Sequence, residues 1–599
     1  MRPMPDNREI VRKALSGNME QRLWTTLFEP ALPMTPLGFE LSGVLPAVMY
    51  LARFGTRRGT GQFKRTFSGP DSGGRQTVTI GSVARVLASR VDDFDGFDDE
   101  TGRAILGDLL LTWCLENTSH AEGHDTKLAR VYPTHYFAAW VDLPDRFGHL
   151  RGVPELITAM LADQHEGDVL RRPNSADRGR YQVGVMPSQN PLLAPLGTAI
   201  RTSNESPADL AADRLDEPAA SDLGIDELIM ARIASAIGQA PMPATASGGG
   251  GRRGADIPNR RPANPLAARA FREDILAFVR HFGGRLPHQT YSQLLECGFT
   301  IGLTQTILRS AQVLFTLEQT GNPVPEAVAR GAWPLFVDCS EGRDRVLRHL
   351  AETSMTETHR RFERLPVVMM IFRIVYETLS EEGECEDVIP HRRADPTALL
   401  ERLADAYRGA SQLSLELKRD VGKVCRGLAR KLREHIEEEP AREGIADTLG
   451  DDGTHPVARL AEALCELMGD GQQRIQFVKA LDSATGAARP TGLADRRTAV
   501  GKKLARSIVM HTPMLDYLVH RHLVPEKSGH SLRHLSLRTF MDRIRDRHGL
   551  WIDAAPPGKQ IPADILQRNK EYFEAHLRDL GLLVSVNDAE TMKTIRSRY

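Results

Sequence analysis

The sequence predicts a mainly α, multidomain protein, with a helical bundle or stack in its C-terminal half, a small mixed α+β N-terminal half and a winged-helix-like C-terminal end. Three observations carry that expectation. Beyond residue 265 apolar side chains recur at three- and four-residue intervals, the period of an amphipathic helix. Residues 238–265, GQAPMPATASGGGGRRGADIPNRRPANP, hold four consecutive glycines and five prolines with almost no large apolar side chain, so they cannot offset the entropy of ordering. The end of the chain reads as a helix, a glycine and a hairpin.

At 599 residues the chain exceeds what one core supports. The expected division is a mixed region over 1–237 carrying a basic glycine-rich loop, a flexible linker over 238–265, a helical domain over 266–490 and a basic winged-helix-like domain over 491–599. Hydrophobic residues make up 41% and charged residues 26%, ordinary globular values, and the formal net charge of -1 excludes a global field that would draw in nucleic acid or membrane. Any such attraction must come from local patches. Six cysteines stand singly with no CxxC, which predicts reduced, mostly buried thiols and a cytoplasmic protein. The opening MRPMPDNREIVRKALSG has no apolar stretch of a secretory signal, and the run at 367–376 is about half a membrane span, so no membrane partner is expected.

In chain order, residues 6–28 and 39–54 read as helices divided by the proline-rich EPALPMTP. Residues 53–75, RFGTRRGTGQFKRTFSGPDSGGR, gather Arg57, Arg58, Lys64 and Arg65 around glycines, with Phe63 and Phe67 interleaved. Glycine lets a backbone approach an anion closely, so this loop is a candidate to hold phosphates and stack a base, or else a solvated hairpin loop. No GxxxxGK[ST] occurs in the chain, which excludes a P-loop, and no cofactor is implied. The acids of DDFDGFDDE lack EF-hand spacing and predict a cap on a helix over 100–117. His120, His124 and Asp125 offer an incomplete metal pattern without the zincin glutamate, so a structural role is expected and no metal site is assigned. Residues 136–143 and 180–185 predict strands, and a helix over 225–237 closes the half.

After the linker, helices are predicted over 266–282, 288–297, 304–319, 343–353, 357–379 and 397–438, with no convincing sheet between them, and again over 457–468 and 472–481. Asp405 followed by Glu416 and Lys418 matches the order of a PD-(D/E)xK nuclease, whose carboxylates hold magnesium. That reading requires Leu413, Leu415 and Leu417 to alternate on a strand, whereas the following residues continue with a helical period and i to i+4 charge pairs.

From 496 to 548 there are 12 Lys or Arg against 4 Asp or Glu. Within this segment Leu535, Phe540, Met541 and Ile544 form an apolar stripe, and Arg538, Arg543, Arg545 and Arg547 lie on the other faces. His511, His520, His522, His530 and His534 match no metal signature and are read as part of a basic polar surface. Residues 562–580 predict an amphipathic helix ended by Gly581, followed by a hairpin whose return strand carries Lys593, Arg596 and Arg598. In a winged helix that strand reaches a phosphate backbone; an ordinary helix-hairpin docked on the bundle is the alternative.

Two passages, HLRGVPELITAMLADQ and NKEYFEAHLRDLGLLVSVNDAETMKTIRSRY, resemble large proteins of bacterial anti-phage defence islands, nearest a non-catalytic component of a methylation-associated defence system. The resemblance implies a cytoplasmic partner of DNA-modifying, nuclease or ATPase subunits and transfers no catalytic residue. The expected function is therefore a non-catalytic DNA-engaging or scaffold subunit. Its nucleic-acid contacts would be Arg57, Arg58, Lys64, Arg65, Arg538, Arg543, Arg545, Arg547, Lys593, Arg596 and Arg598. Expected partners are double-stranded DNA and protein subunits of a defence complex. A metal-dependent nuclease or phosphohydrolase using Asp405, Glu416 and Lys418, and a purely protein-binding scaffold, remain the alternatives.

Overall fold

The computed structural model describes residues 7–15, 19, 22–25, 27–54, 62–70, 74, 76–90, 94–117, 127–141, 150–162, 180–181, 191–196, 224–238, 257–258, 261–381, 395–409, 412–436, 443–450, 455–487, 489, 491–498, 504–524, 534–585 and 593–599. The fold is mainly helical. Its first part runs α1 (Asn7–Ala14), α2 (Val44–Phe54), α3 (Phe63–Phe67), β1 (Gly69–Pro70), β2 (Gln76–Thr77), α4 (Ile80–Ala88), α5 (Glu100–Trp113), β3 (Leu115–Asn117), β4 (Leu128–Val131), α6 (Val153–Leu161), β5 (Arg180–Tyr181) and α7 (Ile225–Ile237). Asp99 caps α5 by accepting the Gly102 N–H, the role expected of the acidic run. Residues 136–141 do not form the expected strand, and 142–143 lie outside the described residues. Tyr136–Trp140 is a 3-10 helix because the His135 Nδ1 accepts the Phe137 N–H at 3.2 Å and starts a turn. Within the linker Ile257–Pro258 forms β6, which pairs antiparallel with β5; most of 238–265, and residues 182–185 of the second expected strand, lie outside the described residues.

The helical part runs α8 (Pro265–Phe282), α9 (His288–Thr320), α10 (Glu326–Arg330), β7 (Leu335–Asp338), α11 (Arg345–Phe362), α12 (Leu365–Glu381), α13 (Pro396–Arg408), α14 (Gln412–Ile436), α15 (Glu443–Gly450), α16 (Pro456–Leu467) and α17 (Asp470–Ala484). Asn264 and Asp395 cap α8 and α13, each followed by a proline at the first helical position. The two helices expected over 288–319 are one helix of 33 residues. Its Gly298 and Gly302 serve packing instead of breaking it. A Cβ would lie 2.8 Å from Tyr517 at the first and 2.2 Å from the Phe271 ring at the second, so these glycines let neighbouring helices close on α9. Conversely, the single helix expected over 397–438 is two, divided at Gly409, whose φ of 69° is left-handed.

The C-terminal part comprises β8 (Ala494–Thr498), β9 (Leu504–Val509), α18 (Thr512–Leu523), β10 (Leu535–Ser536), α19 (Leu537–His548), β11 (Leu550–Trp551), α20 (Ala563–Asp579), β12 (Leu583–Ser585) and β13 (Lys593–Ile595). A four-stranded sheet in the order β11-β7-β9-β8 pairs β7 in parallel with both neighbours and β8 antiparallel to β9. This sheet corrects the expectation of none within the helical part, and it crosses residue 490, where the sequence suggested a boundary. The expected hairpin at the chain end is present: β13 lies between β10 and β12 in a second, antiparallel sheet.

One large apolar core extends from α1 to β13, with a small satellite of Phe336, Leu347 and Ala351 beneath α20. Polar ties cross it. Glu296 on α9, 5% exposed, accepts two hydrogen bonds from Arg130 of β4 at 2.8 and 3.0 Å and one from Thr491. Five cysteines are free and buried; Cys385 lies outside the described residues.

Candidate functional site

A cleft lined by six arginines lies where α8, α9 and α10 meet α18 and α19. Arg269, Arg309, Arg330, Arg521, Arg543 and Arg547 line it, with Glu273, Asp542 and Asp546 the carboxylates among its lining residues. Asp274, on the buried face of α8, organises the floor. Its Oδ1 accepts from the Arg521 Nε at 2.6 Å and the Arg547 Nε at 2.7 Å. Arg547 also reaches Glu273 at 3.0 Å, and Arg521 donates to the Val524 carbonyl at 3.1 Å. Both guanidiniums are thereby fixed.

Arg309 is different. Only 5% exposed, it donates from Nη2 to the carbonyls of Ala329 and Arg330 at 2.8 and 3.0 Å, and its buried Nε–H has no hydrogen-bond partner among the described residues. Burial first, and Arg547 next, lower its pKa to about 10. Behind the cleft His522 and His548 face each other, Nε2 to Nε2 at 3.1 Å. Burial, and then the guanidiniums of Arg547, Arg521 and Arg309 against the pull of Asp274, lower His548 to about 4, and burial likewise holds His522 well below its ordinary value. Both rings are neutral at pH 7, and one donates to the other. Chemically, the cleft can hold and orient an anion.

Of the arginines that sequence reasoning selected, Arg543 and Arg547 line this cleft; Arg543 donates to the His522 carbonyl at 2.9 Å. Its other arginines were not selected: Arg269 and Arg309 come from helices read for apolar period, Arg330 from a stretch given no element, and Arg521 was only counted within the basic segment 496–548. The remaining selected residues are dispersed. Arg545 faces Asp542, Asp546 and Asp553 and lies over the Trp551 ring. Lys593 pairs with the buried Glu574 at 2.8 Å, Arg596 donates to the Gly581 carbonyl at 3.2 Å, and Arg598 pairs with Asp516 of α18. Arg538 is exposed on α19. Lys64 and Arg65 are exposed on α3, while Arg57 and Arg58 lie outside the described residues. Phe63 and Phe67, expected to stack a base, are fully buried against each other with ring centroids 4.9 Å apart. His520 and His522 are also buried, at 0% and 3% exposure, instead of belonging to a polar surface.

The nuclease pattern does not assemble. Glu416 and Lys418 sit in the continuous helix α14, where two positions differ by roughly 200° around the axis. Lys418 donates to the Arg408 carbonyl at 2.8 Å, and Asp405 accepts from Arg402 at 3.0 Å. His120, His124 and Asp125 lie outside the described residues, and among those described no group of three or more His, Cys, Asp or Glu could hold a metal.

A second turn merits comparison with phosphate-handling loops. Cys339 and Arg345 have the spacing of a cysteine-phosphatase loop, following β7 and opening α11. The chemistry is missing. The Cys339 thiol is buried and raised well above its ordinary range by burial and by Asp338. The Ser340 and Gly342 N–H groups, which would cradle an anion, donate to the Asp338 carboxylate at 2.8 and 2.9 Å.

No helix among the described residues is long and apolar enough to cross a membrane. A comparison with curated proteins finds no match. Residues 220–599, which include the cleft, the four-stranded sheet and the C-terminal hairpin, match the family described as methylation-associated defense system protein MAD7, and the chain belongs to that family.

Proposed function

We propose that the chain is a non-catalytic scaffold subunit of a methylation-associated defence complex, and that its C-terminal end is a winged-helix-like unit used for docking. The observation that carries this reading is the environment of α20. The order α18, β10, α19, β11, α20, β12, β13, with β13 between β10 and β12, resembles the helix–strand–helix–helix–strand–strand order of a winged helix apart from β11, which pairs with β7 in the other sheet. In such a unit α20 would be the helix presented to a DNA groove. Here Ile565, Leu566 and Tyr572 of α20 pack on Phe336, Leu347 and Ala351, and Arg568 pairs with Asp344 at 2.7 Å. The face of α20 that carries these residues is therefore covered and unavailable to read bases. Winged-helix-like folds serve protein docking as well as DNA binding, so the fold alone does not decide between them.

The scaffold reading is supported further by the internal pairing of Arg545, Lys593 and Arg598 and by the dispersal of the nuclease residues. Co-expression with the other proteins of a defence locus, followed by affinity capture and nuclease treatment, tests it. A stoichiometric complex that survives nuclease is expected. Elution of the chain alone from every such co-expression would overturn the reading.

A further inference from the structure

The arginine cleft goes beyond a scaffold's needs. Its volume is about 770 Å³, within the range of pockets that hold small organic ligands. It lies at the seam between the helical part and the α18–α19 pair, and six guanidiniums line it against three carboxylates. Arg521 and Arg547 are neutralised by Asp274 and Glu273, and Arg330 pairs with Glu326. Arg269, Arg309 and Arg543 have no carboxylate within ion-pair distance among the described residues.

Arg309 makes this arrangement hard to explain as surface charge. A guanidinium removed from water without a carboxylate is costly, and leaving a buried N–H unpaired adds to that cost. Two backbone carbonyls hold its Nη2 in place, so the group is positioned as well as buried. Phosphate oxygens satisfy such forks by paired charge-assisted hydrogen bonds, and a phosphate's charge suits a cleft whose guanidiniums outnumber its carboxylates.

We propose that this cleft is a phosphate-binding site that takes the phosphate groups of a nucleotide or of a nucleic-acid strand. Arg309 and Arg543 form its fixed inner wall, and Arg269 its exposed rim. The site stands independently of the scaffold reading, since co-purification with partners does not require it.

Calorimetric titration of the full chain at low salt with inorganic pyrophosphate, ATP and a 5′-phosphorylated single-stranded oligonucleotide tests the proposal. Saturable binding of at least one is expected. Pyrophosphate and ATP binding alike identifies a free nucleotide as the source; binding of the oligonucleotide alone, weakening with salt, identifies a strand. Arg269→Glu, at an exposed position, should lower the affinity at least tenfold with an unchanged melting temperature, and Arg309→Met should lower it as much or more. Absence of binding by all three probes, or binding unaltered in Arg269→Glu, overturns the proposal whether or not Arg309→Met folds.

Discussion

The C-terminal hairpin and the arginine cleft are both basic in sequence, yet the fold treats their charges differently. In the hairpin each selected cation is satisfied at home: Lys593 by Glu574, Arg598 by Asp516 and Arg596 by a backbone carbonyl. In the cleft the carboxylates are outnumbered, and one positioned guanidinium keeps an unpaired N–H. A count of Lys and Arg along the chain therefore measures potential partners of either kind. Only the third dimension shows which cations are already paired.

The contrast can be broken most severely at Asp274. Asp274→Ala leaves Arg521 and Arg547 without the carboxylate they share, and loss of one member of a buried pair costs about 3–5 kcal/mol. Denaturant unfolding should show a large fall in midpoint. On the hairpin side Glu574→Ala releases Lys593 and Arg578; Arg578 is half exposed, so a smaller loss of about 2–3 kcal/mol is expected in the same measurement. Gly302→Ala presses a methyl into the Phe271 ring and should cost about 1–3 kcal/mol, with α8 displaced from α9.

Acid sharpens the comparison without mutation. His548 and His359 are both lowered from 6.5 to about 4, chiefly by burial, so each favours the unfolded chain once protonated. Stability is full above pH 6.5 and falls as pH drops from 6.5 toward 4, by up to about 1.4 kcal/mol per pH unit for each histidine. His548→Gln should flatten that slope in urea titrations across the window. Arg538→Ala, at an exposed position with no ion pair among the described residues, should change stability by less than about 0.5 kcal/mol.

Much of the helical architecture was legible, because amphipathic stripes such as 266–282, 225–237 and 562–580 are long enough to fix their period. What escaped has identifiable causes. β7 is four residues, all buried, and a short apolar run has no alternation to distinguish a central strand from a helix. The glycines of α9 look like breaks until Phe271 and Tyr517 are seen against them. Two of the six arginines of the cleft were visible: Arg543 and Arg547 stood out by local charge density. The carboxylate that binds Arg521 and Arg547 lies 247 and 273 residues away in sequence, a separation that one chain's pattern cannot bridge.

The central claim is that open positive charge belongs to the cleft and not to the hairpin surface. Calorimetric titration at low salt with the phosphate probe that the cleft takes, ATP or the 5′-phosphorylated oligonucleotide, compares Arg269→Glu/Arg543→Gln with Arg538→Ala/Arg596→Ala in the full chain. The account predicts that the cleft pair lowers affinity at least tenfold while the hairpin-side pair leaves it within about twofold, a difference of at least about 1 kcal/mol between them. Loss of binding in the hairpin-side pair with the cleft pair unaffected would contradict it.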